Sequence, residues 1–146
     1  GDKDALQLVD EQVKVFNTYK EEVLDRTSVQ ERFGGLGPER VVDVMGLAGD
    51  ASDNIPGVPG IGEKTAVDLI REFGSLDELY QRLDRVKGPA RRKTLEENEQ
   101  VARLSRDLAV IDCYVPLEID FEKMRLKAPM KQSSPASSSI LNLGVY

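Results

Sequence analysis

The stretch GDASDNIPGVPGIGEKTA, Gly49 to Ala66, decides how this chain is read. It sets two carboxylates, Asp50 and Asp53, a few residues before a turn punctuated by Gly60 and Gly62, and the turn opens a helix. Glycine allows a tight turn and a close backbone approach to a ligand. Backbone N–H groups at the start of the following helix point outward, where the helix dipole also favours an anion. Lys64 adds a positive charge in the first turn, Thr65 stands beside it, and Ile61 is expected to bury as the anchor. This is the pattern of a helix-hairpin-helix, a grip on a DNA backbone that ignores sequence. A plain joint between two helices with no ligand would use the same residues.

The acids point to a second chemistry. Asp50 and Asp53 are three residues apart, bounded by Gly49 and Pro56, so they fall in a turn. Carboxylates gathered at one pole attract a hard cation such as Mg²⁺ or Mn²⁺. Two such ions roughly 4 Å apart activate water and stabilise a leaving oxygen in phosphodiester hydrolysis. Asp2 and Asp4 make another pair at i and i+2, which an extended segment places on one face. Each pair taken alone also fits ordinary turn and capping chemistry.

Composition narrows the field. The 146 residues are enough for one domain or a large piece of one, and they are 40% hydrophobic and 32% charged with no Trp. No apolar run approaches the roughly 20 residues of a membrane span. Gly1-Asp2-Lys3-Asp4 is polar where a signal peptide needs an apolar stretch. A single cysteine, Cys113, excludes an internal disulfide and fits a reducing compartment. The absence of His excludes a His-ligated zinc site and a His-based catalytic relay. A net charge of −6 runs against the usual basic nucleic-acid binder. The bases are uneven, however: Asp84 to Arg106 holds seven (Arg85, Lys87, Arg91, Arg92, Lys93, Arg103, Arg106) against four acids. That run also fits a solvated helix face.

The spacing of apolar and capping residues predicts mostly helix. A short helix is expected over residues 4–9 and a strand over 13–16. Thr27 or Ser28 is expected to cap a helix to about Phe33, ended by Gly34-Gly35. Pro38 suits a first helical position, followed by an apolar stripe of Val41, Val42, Met45 and Ala48, and Gly49 ends that helix. Residues 63–73 read as amphipathic, with Ala66, Leu69, Ile70 and Phe73 inward and Gly74 closing. Ser75 with Glu78 makes a capping box for a helix to about Leu83. Pro89 opens a long helix to about Leu108 with Leu95, Val101, Leu104 and Leu108 as core, and Ala109 to Ile111 fits a strand. Beyond Lys127 a serine-rich stretch reads as flexible, with Ile140 to Tyr146 able to dock back.

The segments GDKDALQLV, GDASDNIPGVPGIGEKTAVDLIREFGSLDELY, LSRDLAVID and VPLEID resemble the 5′→3′ exonuclease domain of bacterial DNA polymerase I, in the 5′-nuclease (flap endonuclease) superfamily. The resemblance spans about Gly1 to Asp120. It implies that Asp2, Asp4, Asp50 and Asp53 are catalytic ligands of two divalent ions, Mg²⁺ or Mn²⁺. It implies that Gly60, Ile61, Gly62, Lys64 and Thr65 hold duplex DNA, and that Asn54 with Ile55, Val58 and Ile61 falls where relatives hold a monovalent cation such as K⁺. The implied substrate is double-stranded DNA with a 5′ flap or nick, cut in the bacterial cytoplasm during DNA replication and DNA repair.

The family domain is longer than this chain. The resemblance therefore implies an N-terminal half outside it, carrying further aspartates and a helical arch. The near-terminal helix of the family is replaced here by the serine-rich stretch. The expected fold is mostly α with a small β edge, the helix-hairpin-helix half of an α/β nuclease, with a remnant of the parallel sheet. Residues 1–26 would end the nuclease core, 27–126 form a helical subdomain with the hairpin at 50–74, and 127–146 trail flexibly. The chain alone is expected to be inactive. It would otherwise be a non-catalytic DNA-binding module, or a truncated product that needs the other half.

Overall fold

The structure is a computed structural model in which residues 3–125 are described. Asp2 and the serine-rich segment after Lys127, including Ile140 to Tyr146, lie outside the described residues. The chain divides into two compact units, residues 1–113 and 114–146.

Helices dominate the first unit. A 3₁₀ turn, Asp4–Leu8, leads to two short strands, β1 (Val15–Asn17) and β2 (Glu22–Leu24). Then come α1 (Arg26–Arg32), a 3₁₀ turn Pro38–Arg40 and α2 (Val41–Ala48). After the glycine-rich connection follow α3 (Glu63–Phe73), α4 (Leu76–Gln81), α5 (Pro89–Glu97) and α6 (Glu99–Ala109). The strands pair antiparallel, with Val15 opposite Leu24 and Asn17 opposite Glu22. The small β element is thus a local hairpin. The expected parallel remnant is not found among the described residues, because a parallel strand needs a partner brought in by a long crossover.

α2 is the central element, packed against α6, α3, α4 and the first 3₁₀ turn. Val41, Val44, Met45 and Leu47 of α2 are buried, whereas the expected Val42 and Ala48 are only half-buried. Its contact with α6 is made by small residues. A Cβ on Gly46 would stand 2.9 Å from the Arg106 Cβ and 3.0 Å from the Ala102 carbonyl oxygen. Opposite lie Ala102, Ser105 and Ala109 of α6, at most 2% exposed.

This corrects the reading of α6. Leu104 and Leu108 were expected inside and are 54% and 58% exposed, and Val101 is half-buried. The buried face is the same helical spacing shifted by one residue. Large apolar side chains mark a buried face only where the partner surface leaves room for them, and α2 comes too close here. The expected single helix from Pro89 also breaks. Asn98 (φ −116°, ψ 19°) separates α5 from α6, and its side-chain amide donates to the Thr94 carbonyl at 2.8 Å. Leu95 is fully buried as expected.

Other ends follow local chemistry. The cap of α1 is Asp25, whose carboxylate accepts the Ser28 amide and hydroxyl at 3.0 Å each, so Thr27 and Ser28 lie inside the helix. α3 has the expected bounds, with Ala66, Leu69, Ile70 and Phe73 buried and Gly74 (φ 100°) closing it. Full burial of a side chain such as Ile70 stabilises by about 1.5–3 kcal/mol. Ser75 caps α4 by accepting the Glu78 amide at 3.2 Å, and α4 stops at Gln81. The residues expected as a strand at 109–111 have no strand partner among the described residues. Instead the Gln7 side chain donates to the Ala109 carbonyl and accepts the Ile111 amide, both at 2.9 Å. This pins the first 3₁₀ turn to the end of α6. In the second unit, residues 115–120 carry no regular element and a turn follows at 121–124, where the Asp120 carboxylate accepts the Glu122 and Lys123 amides.

Two outcomes test this packing. Gly→Ala inside an exposed helix normally stabilises by roughly 0.5–1 kcal/mol. Gly46→Ala should destabilise instead, by about 1–3 kcal/mol in a denaturant melt, because the added methyl pushes α6 away. Asp77 of α4 is held by Arg103 and Arg106 of α6, and those bonds keep its carboxyl below the usual range. A carboxyl depressed in the folded state contributes stability above its unfolded pKa, and that stability is lost as pH falls through the folded value. The fall in melting temperature on acidification below about pH 4 should therefore be shallower in Asp77→Asn.

Candidate nucleic-acid interface

The connection between α2 and α3 is built backbone against backbone. Gly49 (φ 70°) ends α2, its amide still donating to the Met45 carbonyl at 2.8 Å. Asp50 and Ile55 then exchange both backbone hydrogen bonds, at 3.0 and 2.9 Å, closing a small loop with Asp53 and Asn54 exposed at its tip. Asn54 is left-handed (φ 57°). Gly57 (φ 62°) returns so close that a Cβ there would overlap the Gly49 amide nitrogen and the Ala48 carbonyl carbon. The Gly57 amide donates at 3.0 Å to the Ser105 hydroxyl, which is fully buried, and the Val58 amide donates to the Leu47 carbonyl at 2.7 Å.

From that base the chain projects a turn. Val58 and Ile61 are buried, 3% and 6% exposed, and the Ile61 amide donates to the Val58 carbonyl at 3.1 Å. Ile61 is thus the expected anchor. Gly60 (φ 77°) and Gly62 are exposed, and among the described residues, chain neighbours apart, no atom lies within 4 Å of where a Cβ would stand on either. Gly62 occupies the N-cap of α3 without a capping side chain, and the helix begins with the Ala66 amide donating to the Gly62 carbonyl at 2.9 Å. Lys64 is exposed and Thr65 half-buried. The bend therefore presents backbone to open space at the positive end of a three-turn helix.

The acids behave differently from one another. Asp50 is 6% exposed, Asp53 is exposed, and Asp4 is half-buried in the first 3₁₀ turn. The Asp50 carboxylate accepts the Ser52 amide at 2.8 Å, and Lys3 Nζ lies 3.5 Å from its other oxygen. The Ser52 amide, with help from Lys3, holds the Asp50 carboxyl below the usual range against the opposing pull of burial. Lys3 also reaches Glu63, the first residue of α3, at 3.2 Å. Burial disfavours the Lys3 ammonium, but Glu63 and Asp50 together raise its pKa. The segment carrying Asp4 is thereby brought against the loop carrying Asp50.

These residues do not fit a divalent ion on their own. Among the described residues no three Asp, Glu, His or Cys side chains are grouped to hold one. A concavity of about 860 Å³ lies beside the β hairpin and α1 and touches none of the acids discussed. Among the described residues, no helix is long and apolar enough to cross a membrane. Sequence reasoning missed Lys3, Glu63 and Ser105. Ser105 sits in a helix whose apolar stripe drew attention to the wrong face, and a lysine between two aspartates carries no signal of its partner.

A helical body carrying this exposed bend beside acids is the architecture of a nuclease C-terminal region. The chain belongs to the 5′-3′ exonuclease family: the description "5′-3′ exonuclease, C-terminal SAM fold" matches residues 36–132. It is similar to the thermostable DNA polymerase I of Thermus filiformis, 46% identical over 129 residues, covering 88% of this chain and 15% of that protein. DNA polymerase I of Chloroflexus aurantiacus is 41% identical over 152 residues, covering 99% of this chain and 16% of that protein. The Rhizobium leguminosarum enzyme is 40% identical over 127 residues, covering 87% and 12%. The chain thus spans less than a fifth of the length of these relatives. Among solved structures it resembles zinc-bound T5 5′-exonuclease, with TM-score 0.67 and 25% identity over 74% of this chain and 40% of that one. It also resembles a T5 flap endonuclease in complex with DNA and metal ions, with TM-score 0.61 and 25% identity over 73% and 39%.

The Ser105 hydroxyl is the testable support of the bend. Ser105→Ala should cost about 1–3 kcal/mol, because the buried Gly57 amide loses its acceptor. Amide exchange at Gly57 and Val58 should accelerate more than exchange in α3. Unchanged exchange at Gly57 would refute the role.

Proposed function

We propose that this chain is the duplex-gripping part of a 5′→3′ exonuclease and flap endonuclease, with a helix-hairpin-helix formed by α2, the bend and α3. The observation that carries the reading is the open space in front of Gly60 and Gly62 over buried Val58 and Ile61 anchors. A phosphate can approach those backbone positions only if no side chain stands there. Exposed amides at a helix start and the Lys64 ammonium supply the attraction. Gly60, Ile61, Gly62, Lys64 and Thr65 form this contact, and Asn54, Ile55, Val58 and Ile61 lie around a K⁺ site that steadies the turn against DNA.

Asp2, Asp4, Asp50 and Asp53 contribute ligands to a divalent-ion site, Mg²⁺ or Mn²⁺, that the N-terminal part of a complete domain finishes. When bound, such ions supply Lewis acidity for phosphodiester hydrolysis. The chain's own part is to hold DNA beside these acids, on 5′-flapped or nicked duplex in the bacterial cytoplasm. One observation favours a second reading, a chain that binds DNA without cutting it: Asp50 already faces Lys3.

Gly62 separates ligand from fold. Its φ of −85° is open to any residue, so Gly62→Val should still fold cooperatively, losing about 1 kcal/mol because valine is a poorer N-cap than glycine. It should nonetheless lose at least about tenfold in affinity for a fluorescent duplex, since the added branch blocks phosphate. Lys64→Ala should weaken binding more gently and lower the salt slope by about one. Unchanged affinity in Gly62→Val would contradict the proposed grip. The isolated chain should show no turnover of a 5′ flap with Mn²⁺. Cleavage should appear on adding the N-terminal part, and Asp50→Ala should abolish it. Duplex binding with no cleavage in that mixture would favour the second reading.

A further inference from the structure

A row of ion pairs ends at the first residue of α3. The Asp50 carboxylate is almost wholly buried and accepts the Ser52 amide at 2.8 Å. Lys3 Nζ stands 3.5 Å from its other oxygen. The same ammonium lies 3.2 Å from a carboxylate oxygen of Glu63, where α3 begins. One end of the row is thus fixed in the loop after α2, and the other holds a side chain that is 44% exposed.

Glu63 is an obstacle to a phosphate at the bend. The first amides of a helix have no acceptor within it. No side chain caps those of α3. A carboxylate is stabilised at that end of a helix for the same reason that a phosphate is. Glu63 stands in sequence between Gly62 and Lys64, at those very amides. A released Glu63 side chain would fold onto the donors a phosphate needs, and its charge would repel the phosphate as well.

We propose that Lys3 is a positioning residue of the DNA grip: it draws the Glu63 carboxylate aside, neutralises it, and so keeps the amides at the start of α3 free for phosphate. The inference rests on the reading of the bend as a grip on duplex backbone. An ammonium carries three donors, so one lysine serves both carboxylates. Asp50 acts here as the anchor of Lys3, and its burial and its bond from Ser52 keep that anchor in place. Without Lys3, the chain's own carboxylate competes with the ligand, and apparent affinity falls by the fraction of molecules whose amides are occupied.

Affinity of the full 146-residue chain for a fluorescent duplex tests this. Lys3→Met keeps the aliphatic stem and should bind at least about fivefold more weakly. Glu63→Gln alone should tighten binding by no more than about twofold, because its carboxylate is already held aside, whereas Lys3→Met/Glu63→Gln should recover nearly all of the loss. Lys3→Arg can still bridge both acids and should keep the affinity. In the free Lys3→Met chain, hydrogen exchange of the Glu63, Lys64 and Thr65 amides should slow, since the released carboxylate covers them. A lysine that merely braced the fold would quicken that exchange on removal. Thermal melts accompany each variant, and Lys3→Gln replaces Lys3→Met should the latter not fold. Unchanged affinity in the folded Lys3 variant, or a loss that Glu63→Gln does not restore, overturns the role of Lys3. If that happens while Gly62→Val still loses binding, the grip stands alone. Unchanged affinity in Gly62→Val overturns the grip and the role of Lys3 with it.

Discussion

Gly57 rests against the Ala48–Gly49 peptide more closely than any side chain permits. That contact turns the connection between two helices into a rigid base. It lets Asp50 and Ile55 close their bridge, brings the Gly57 amide to Ser105, and seats Val58 on the Leu47 carbonyl. With the root fixed from both sides, the following bend projects Gly60 and Gly62 outward while Ile61 stays in the core. Affinity for a phosphate depends on amides held ready before the ligand arrives, since ordering a loose loop on binding would consume much of the gain.

The same economy of size governs α2 and α6. Gly46 faces Ala102, and Ala102, Ser105 and Ala109 line the buried side of α6. Small residues let the two backbones approach, and that approach is what carries the Ser105 hydroxyl to the loop. Substituting bulk in either helix would act on the bend through distance, without touching it.

α3 was legible in full because its amphipathic spacing, a glycine before it and a glycine after it agree. The bend and its Ile61 anchor were legible because two glycines flanking one apolar residue, just before an amphipathic helix, mark a tight turn with a single inward side chain. α6 was misread because the leucines at 104 and 108 outweighed the alanines beside them, and the sequence holds no record of how near α2 comes. Asp25 was overlooked as a cap beside two hydroxyl residues that compete for the same position. The bridge from Lys3 to Asp50 and Glu63 joins residues that only the tertiary fold brings together. The acids were legible as a set of residue types. Their arrangement was not, since ligand geometry depends on elements that pattern alone cannot orient.

The most direct measurement is a titration of the ¹⁵N-labelled chain with a short duplex, followed by amide chemical shifts. The amides of Gly60, Gly62, Glu63 and Lys64 should shift or broaden in proportion to bound DNA, while those of β1 and β2 stay in place. Shifts confined to the basic run around α5, with the glycine amides unmoved, would contradict the account.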